Sequence, residues 1–194
     1  MIKALKELKK NLDAERSDKK YERDGEGRVV VNMTVRDDSG FLSVYSQSDI
    51  PVIDGTVADF IENRTSAILP REPLTLRIYS DSVDENEIPV YQRAIRSYYK
   101  EKYYSSEREY RRNVVAAVML ALAGILALSL MIFLEKRIES AIWFEVIDIV
   151  AWVFLWEAVD LYFLENRMLK YRRLRYLAFV DMKVEGYPLK KIEN

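Results

Sequence analysis

Residues 113–134 form 22 consecutive positions without a charged side chain, made almost entirely of Ala, Leu, Ile, Val and Met. As a helix this stretch is about 33 Å long, enough to cross the hydrocarbon of a bilayer. A helix that is apolar on every face needs either a large protein core or lipid around it. A chain of 194 residues has little core to offer, so the sequence predicts a membrane helix here. A second apolar stretch, AIWFEVIDIVAWVFLWEAVDLYFL at 141–164, follows after only six residues, EKRIES. So short a link favours an antiparallel hairpin, and the reading is of two transmembrane helices, 113–134 and 141–164, with 135–140 as an external loop.

Basic residues set the orientation. Arg108, Arg111 and Arg112 precede the first stretch, and Arg167, Lys170, Arg172, Arg173 and Arg175 follow the second, while the link has only Lys136 and Arg137. The positive-inside rule then predicts a multi-pass protein of the cell membrane with both termini cytoplasmic. Arg111, Arg112, Arg167, Lys170, Arg172 and Arg173 are the expected membrane-interface residues.

The second stretch carries four acids and no base: Glu145, Asp148, Glu157 and Asp160. A charged group at the centre of a membrane helix costs about 2.5–3.5 kcal/mol, and such residues usually face a partner helix, an aqueous path or an ion. With Glu145 at 0°, helical geometry puts Asp148 at about −60°, Asp160 at about 60° and Glu157 at about 120°. The outer pair, Glu145 and Asp148, is separated from the inner pair by the apolar run IVAWVFLW. In several associated copies the pairs would form two carboxylate rings that attract cations; in one copy they would make interhelical or boundary contacts. The run Trp143, Phe144, Glu145, Val146, Ile147, Asp148 resembles the entrance motif of mitochondrial-type calcium uniporters, which also have two spans. The resemblance covers about six residues. The acids are in the opposite order, and Ile149 stands where that motif has proline, so no family is assigned.

Ahead of the apolar stretches, residues 28–89 read as a small folded α+β domain. Val29, Val31, Met33 and Val35 alternate with Val30, Asn32, Thr34 and Arg36 as in a strand with one buried face. Asp37, Asp38, Ser39 and Gly40 supply turn chemistry, FLSVYS reads as a returning strand, Thr56 as the cap of a helix ended by Pro70, and LTLRIY as a third strand. The order strand, strand, helix, strand suggests a ubiquitin-like or β-grasp-type domain in the cytosol. Residues 1–27 form a charged arm with a potential amphipathic helix, 90–112 a juxtamembrane helix, and 165–194 a basic cytosolic helix and tail.

Charge is segregated along the chain. From Asp37 to Pro89 there are eleven Asp or Glu and three Arg, a formal charge of −8. Residues 91–112 carry seven Lys or Arg against three acids. The acidic domain could steer a basic partner, and its cluster Asp81, Asp84, Glu85 and Glu87 could hold a divalent ion or simply form turns. With no cysteine and no histidine, disulfides, thiol chemistry and histidine catalysis are excluded, and no glycine-rich phosphate loop is present. The expectation is a non-enzyme without a cofactor, with no metal identified and no nucleic acid bound. Its partners would be the lipid bilayer, further copies of itself, a cytosolic protein and, for the carboxylates, a cation. The functional reading is an oligomeric inner- or plasma-membrane protein whose cytosolic domain recruits or senses a partner; the alternative is a cation-selective channel or transport component using the carboxylates of the second helix.

Overall fold

The alternating residues 29–34 form strand β1 (Val29–Thr34), and LTLRIY forms β2 (Leu74–Tyr79). The two pair in parallel from Val29 opposite Leu74 to Thr34 opposite Tyr79. A third strand, β3 (Lys183–Tyr187), pairs in parallel with the other edge of β2, Thr75 opposite Lys183 and Tyr79 opposite Tyr187. This computed structural model describes residues 21–47, 49–134 and 141–189. The expected amphipathic helix near the N-terminus and the link 135–140 lie outside the described residues.

Parallel neighbours cannot be joined by a tight turn. β1 reaches β2 through helix α1 (Gly55–Thr65), and β2 reaches β3 only after all the remaining helices. These are α2 (Ile88–Leu134), α3 (Ala141–Val159), a π-helical turn (Asp160–Glu165) and α4 (Asn166–Val180). The chain divides into two compact units, Met1–Ala94 with Asp181–Asn194, and Ile95–Val180.

In the first unit, one sheet face carries Val29, Val31, Leu74, Leu76, Ile78 and Val184, which are buried together with Val57, Ala58 and Ile61 of α1. Each of these Val, Leu and Ile side chains, fully buried, contributes about 1.5–3 kcal/mol. The other face is polar. Arg77 pairs with Glu22 and Glu185, and Lys183 pairs with Glu26 and Glu185. Asp24 ties the segment 22–28 to this face: Thr75 Oγ1 donates to its Oδ2 at 2.6 Å, and the amides of Glu26 and Arg28 donate to Oδ1 at 2.9 Å each. The turn passes through Gly27 at φ 79°, a left-handed conformation natural to glycine. Asp54, two residues before the expected Thr56, caps α1, accepting from Thr56 N at 2.9 Å and Thr56 Oγ1 at 2.7 Å.

The structure corrects the expected strand order. FLSVYS makes only an isolated bridge, Leu42 to Ile53, with Val44 and Tyr45 fully turned out at 87% and 90% exposure. Its one inward residue, Phe41, stacks on Tyr91 at 4.1 Å. The returning strand of a β-grasp-type hairpin is therefore absent, and an all-parallel sheet stands in its place.

In the second unit, the expected juxtamembrane helix and apolar stretch are one continuous 47-residue helix, α2. Among the described residues it is the one helix long and apolar enough to cross a membrane. α3 has 19 residues, three of them acids, and does not qualify. The expected multi-pass placement with both termini cytoplasmic is thus corrected to membrane association through a single apolar helix. α3 packs against that helix: Ala117, Ala151 and Ala158 are buried. A Cβ on Gly124 would lie 2.8 Å from Leu155 Cγ and 3.1 Å from the Ala151 carbonyl oxygen, so the two backbones approach too closely there for a larger residue.

The protein is therefore a small α+β domain, with a three-stranded sheet and several helices, joined to one membrane-spanning apolar helix.

Candidate functional site

In a parallel sheet, the loops at the carboxyl ends of the strands commonly line the binding crevice. Here those ends carry most of the chemistry of the first unit. Beyond β2 and β3 lies a cleft of about 610 Å³ with Ile78, Val83, Ile88 and Pro188 as its apolar surface and Ser80, Asp81, Glu85 and Tyr187 as its polar one. Gly186 is small because Ile88 sits against it: an added Cβ would come within 2.8 Å of Ile88 Cδ1.

The acids of this loop divide between turn-building and open roles. Glu87 Oε2 accepts from Asp84 N at 2.9 Å, and Asp84 Oδ2 accepts from Asn86 Nδ2 at 3.2 Å. Asp81 accepts from the Leu189 amide through Oδ1 at 3.0 Å. Glu85 makes no ion pair among the described residues and lines the cleft with Asp81. On one flank, Tyr187 stacks on Tyr79 at 5.7 Å and donates to Glu185 at 3.1 Å. The arrangement offers two carboxylates above an apolar floor, which suits a cationic side chain with an aliphatic stem.

The four acids singled out from the sequence do not come together in one chain. Asp148 and Asp160 are half-buried, Glu145 and Glu157 are exposed, and none has an ion pair or hydrogen bond among the described residues. Ala151, Leu155 and Ala158 define the side of α3 turned to α2. Relative to Ala151, Glu145 and Glu157 sit about 120° away on opposite flanks. Among the described residues, no three acidic side chains converge to hold a metal.

The basic interface residues separate into two sets. Arg111, Arg112, Arg167, Lys170 and Arg172 are exposed, although Arg111 Nε donates to Glu107 Oε1 at 3.0 Å and the Lys170 ammonium lies 5.8 Å from the Tyr110 ring centre. Arg173 is turned inward: it pairs with Glu107 and lies over Tyr110 at 4.8 Å.

That inward pair belongs to a polar seam between α2 and the segment after α3, which sequence reasoning missed. Asn113 Nδ2 donates to Glu165 Oε2 at 2.9 Å. Asn166 is 1% exposed, and neither its amide nitrogen nor its oxygen has a hydrogen-bond partner. The seam continues to Tyr99, whose ring meets Phe179 at 4.5 Å. These partners lie more than fifty positions apart in the chain, and no local pattern announces them. A π-helical turn at Asp160–Glu165 immediately precedes Asn166; such turns commonly occur at functional positions.

Comparison with protein-family models, curated proteins and solved structures found no match to this chain.

Proposed function

We propose that this protein is a membrane-anchored recruitment module, in which the α+β unit receives a basic segment of a soluble partner in the cleft at its strand ends. The observation that carries this reading is the pairing of Asp81 and Glu85 with an apolar floor in one cleft. The formal charge of −8 over residues 37–89 supports it, because it would raise the local concentration of a basic partner and speed encounter. Attachment to a bilayer adds a second gain: a partner that also contacts lipid would bind by two linked modules at high effective concentration.

The test uses the full chain in nanodiscs and a labelled peptide alternating Lys or Arg with Leu. Binding is expected to weaken with salt and to fall about tenfold, the equivalent of about 1.4 kcal/mol, when Asp81→Asn is combined with Glu85→Gln. Absence of binding, or equal binding by the double variant, would refute the assignment. A cation-conducting reading would require several copies to gather acids that one chain keeps apart, and no observation favours it.

A further inference from the structure

We propose that the helical unit holds one anionic glycerophospholipid of the surrounding bilayer, with an acyl chain in the groove between α2 and α3 and its phosphate against Arg111 and Arg167. The groove has a volume of about 270 Å³ and is bounded by Ala117, Val118 and Ala121 on α2 and by Leu155, Val159 and Phe163 across from them. Ala117 and Ala121 leave space where larger side chains would fill it. The groove's open edge is apolar: Val118, Val159 and Phe163 are 51%, 48% and 62% exposed. It lies toward the basic end of the apolar segment, so the hydrocarbon there is that of the leaflet whose headgroups face those arginines.

Charge identifies the occupant. Arg111 precedes Val118 by seven residues, two helical turns, and therefore lies on the same edge of α2 about 10 Å further along the axis. Arg167 follows Phe163 by four residues and is exposed. The two arginines thus flank the same end of the groove, one from each wall. Glu107 holds Arg111 only through Nε, and the Arg111 side chain remains 76% exposed, leaving its terminal nitrogens to face a phosphate. Of the carboxylates near this level, Glu107 is shared between Arg111 and Arg173, and Glu165 accepts from Asn113, which lies about 160° around α2 from Arg111. An acyl chain emerging between Val118 and Phe163 would carry its phosphate to two guanidiniums, an arrangement a neutral zwitterionic lipid satisfies less well.

The experiment is native mass spectrometry of the full chain released from nanodiscs containing equal amounts of phosphatidylglycerol and phosphatidylcholine with identical acyl chains. One phosphatidylglycerol is expected to be retained about thirtyfold more often than phosphatidylcholine, roughly fivefold for each of the two basic residues at an anionic surface. Arg111→Gln with Arg167→Gln should reduce that preference to below about twofold. Ala121→Leu, which fills the groove without touching the arginines, should lower retention of both lipids while far-UV circular dichroism stays unchanged. Equal retention of the two lipids by the unaltered protein would overturn the proposal. So would undiminished retention in correctly folded Ala121→Leu, or a dimer that this substitution dissociates, since a second copy would then occupy the groove.

Discussion

In the α+β unit, Arg77 lies between Glu22 and Glu185, whereas in the helical unit Glu145 and Glu157 stand exposed on α3 with no ion pair among the described residues. The contrast extends to apolar groups. Leu76 and Ile78 are wholly buried, while Trp152 and Trp156 on α3 are 61% and 73% exposed. The first unit closes a core against water and arranges its charges around it. The second presents apolar surface and keeps its closest polar pairing in a narrow seam, as expected where lipid replaces water around a helix.

Disrupting the core of the first unit should produce the largest effect. Leu76→Ala is expected to destabilise the α+β unit by about 2–5 kcal/mol, measured by amide hydrogen exchange of the sheet in detergent. Glu157→Gln in the same measurement should change it by less than about 0.5 kcal/mol. Gly124→Leu tests the close approach of α2 and α3. With its Cβ 2.8 Å from Leu155 and 3.1 Å from a backbone oxygen, it should cost about 1–3 kcal/mol, seen as faster exchange in α3 with the sheet unaffected.

A smaller change is expected at Asn166. Its buried amide forgoes hydrogen bonds worth about 1–3 kcal/mol in desolvation, so Asn166→Leu should raise the helical unit's stability by about 1 kcal/mol in thermal unfolding. If stability falls instead, an ordered water or a bound group satisfies that amide.

The smallest effect is a pH dependence. The Thr75 hydroxyl, with the Arg28 and Glu26 amides adding to it, holds the Asp24 carboxyl below its usual value of 3.8. A carboxyl depressed on folding contributes stability that is fully present above its unfolded value and lost as pH falls through its folded one. Thr75→Val should move the Asp24 titration upward toward 3.8, followed by carboxyl carbon NMR, and acid unfolding should begin at a higher pH.

Periodic segments were legible in the sequence. The alternation of 29–34 and 74–79, the capped helix between them and the uncharged run after residue 112 each report a local constraint, burial on one face or on all. β3 was not legible because its core-facing positions are Val184 and Gly186. Glycine is required where Ile88 presses in, and it removes the apolar signal that would mark a strand. FLSVYS misled for the opposite reason: Phe41 alone is an anchor, and the pattern beyond it faces solvent. The acidic cleft was half visible, since Asp81 and Glu85 stood out as charges beside Ile78, Val83 and Ile88, while its other wall, Gly186 to Pro188, comes from a segment about a hundred positions away. Asn166 carried no signal, because a single Asn in a basic helix looks like surface.

Because Lys183–Tyr187 completes the sheet beside β2, about a hundred residues must be synthesised between two adjacent strands. At ordinary elongation rates that interval is roughly 5–20 s, during which β2 has one unpaired edge and the apolar helix has already emerged. The apolar helix is therefore made before the last strand of the sheet. Until β3 is made, the chain carries an open strand edge as well as an apolar segment, two features prone to aggregation and open to capture by chaperones. The order of the strands makes the sheet the last part of the fold to close, after the whole helical unit has been synthesised.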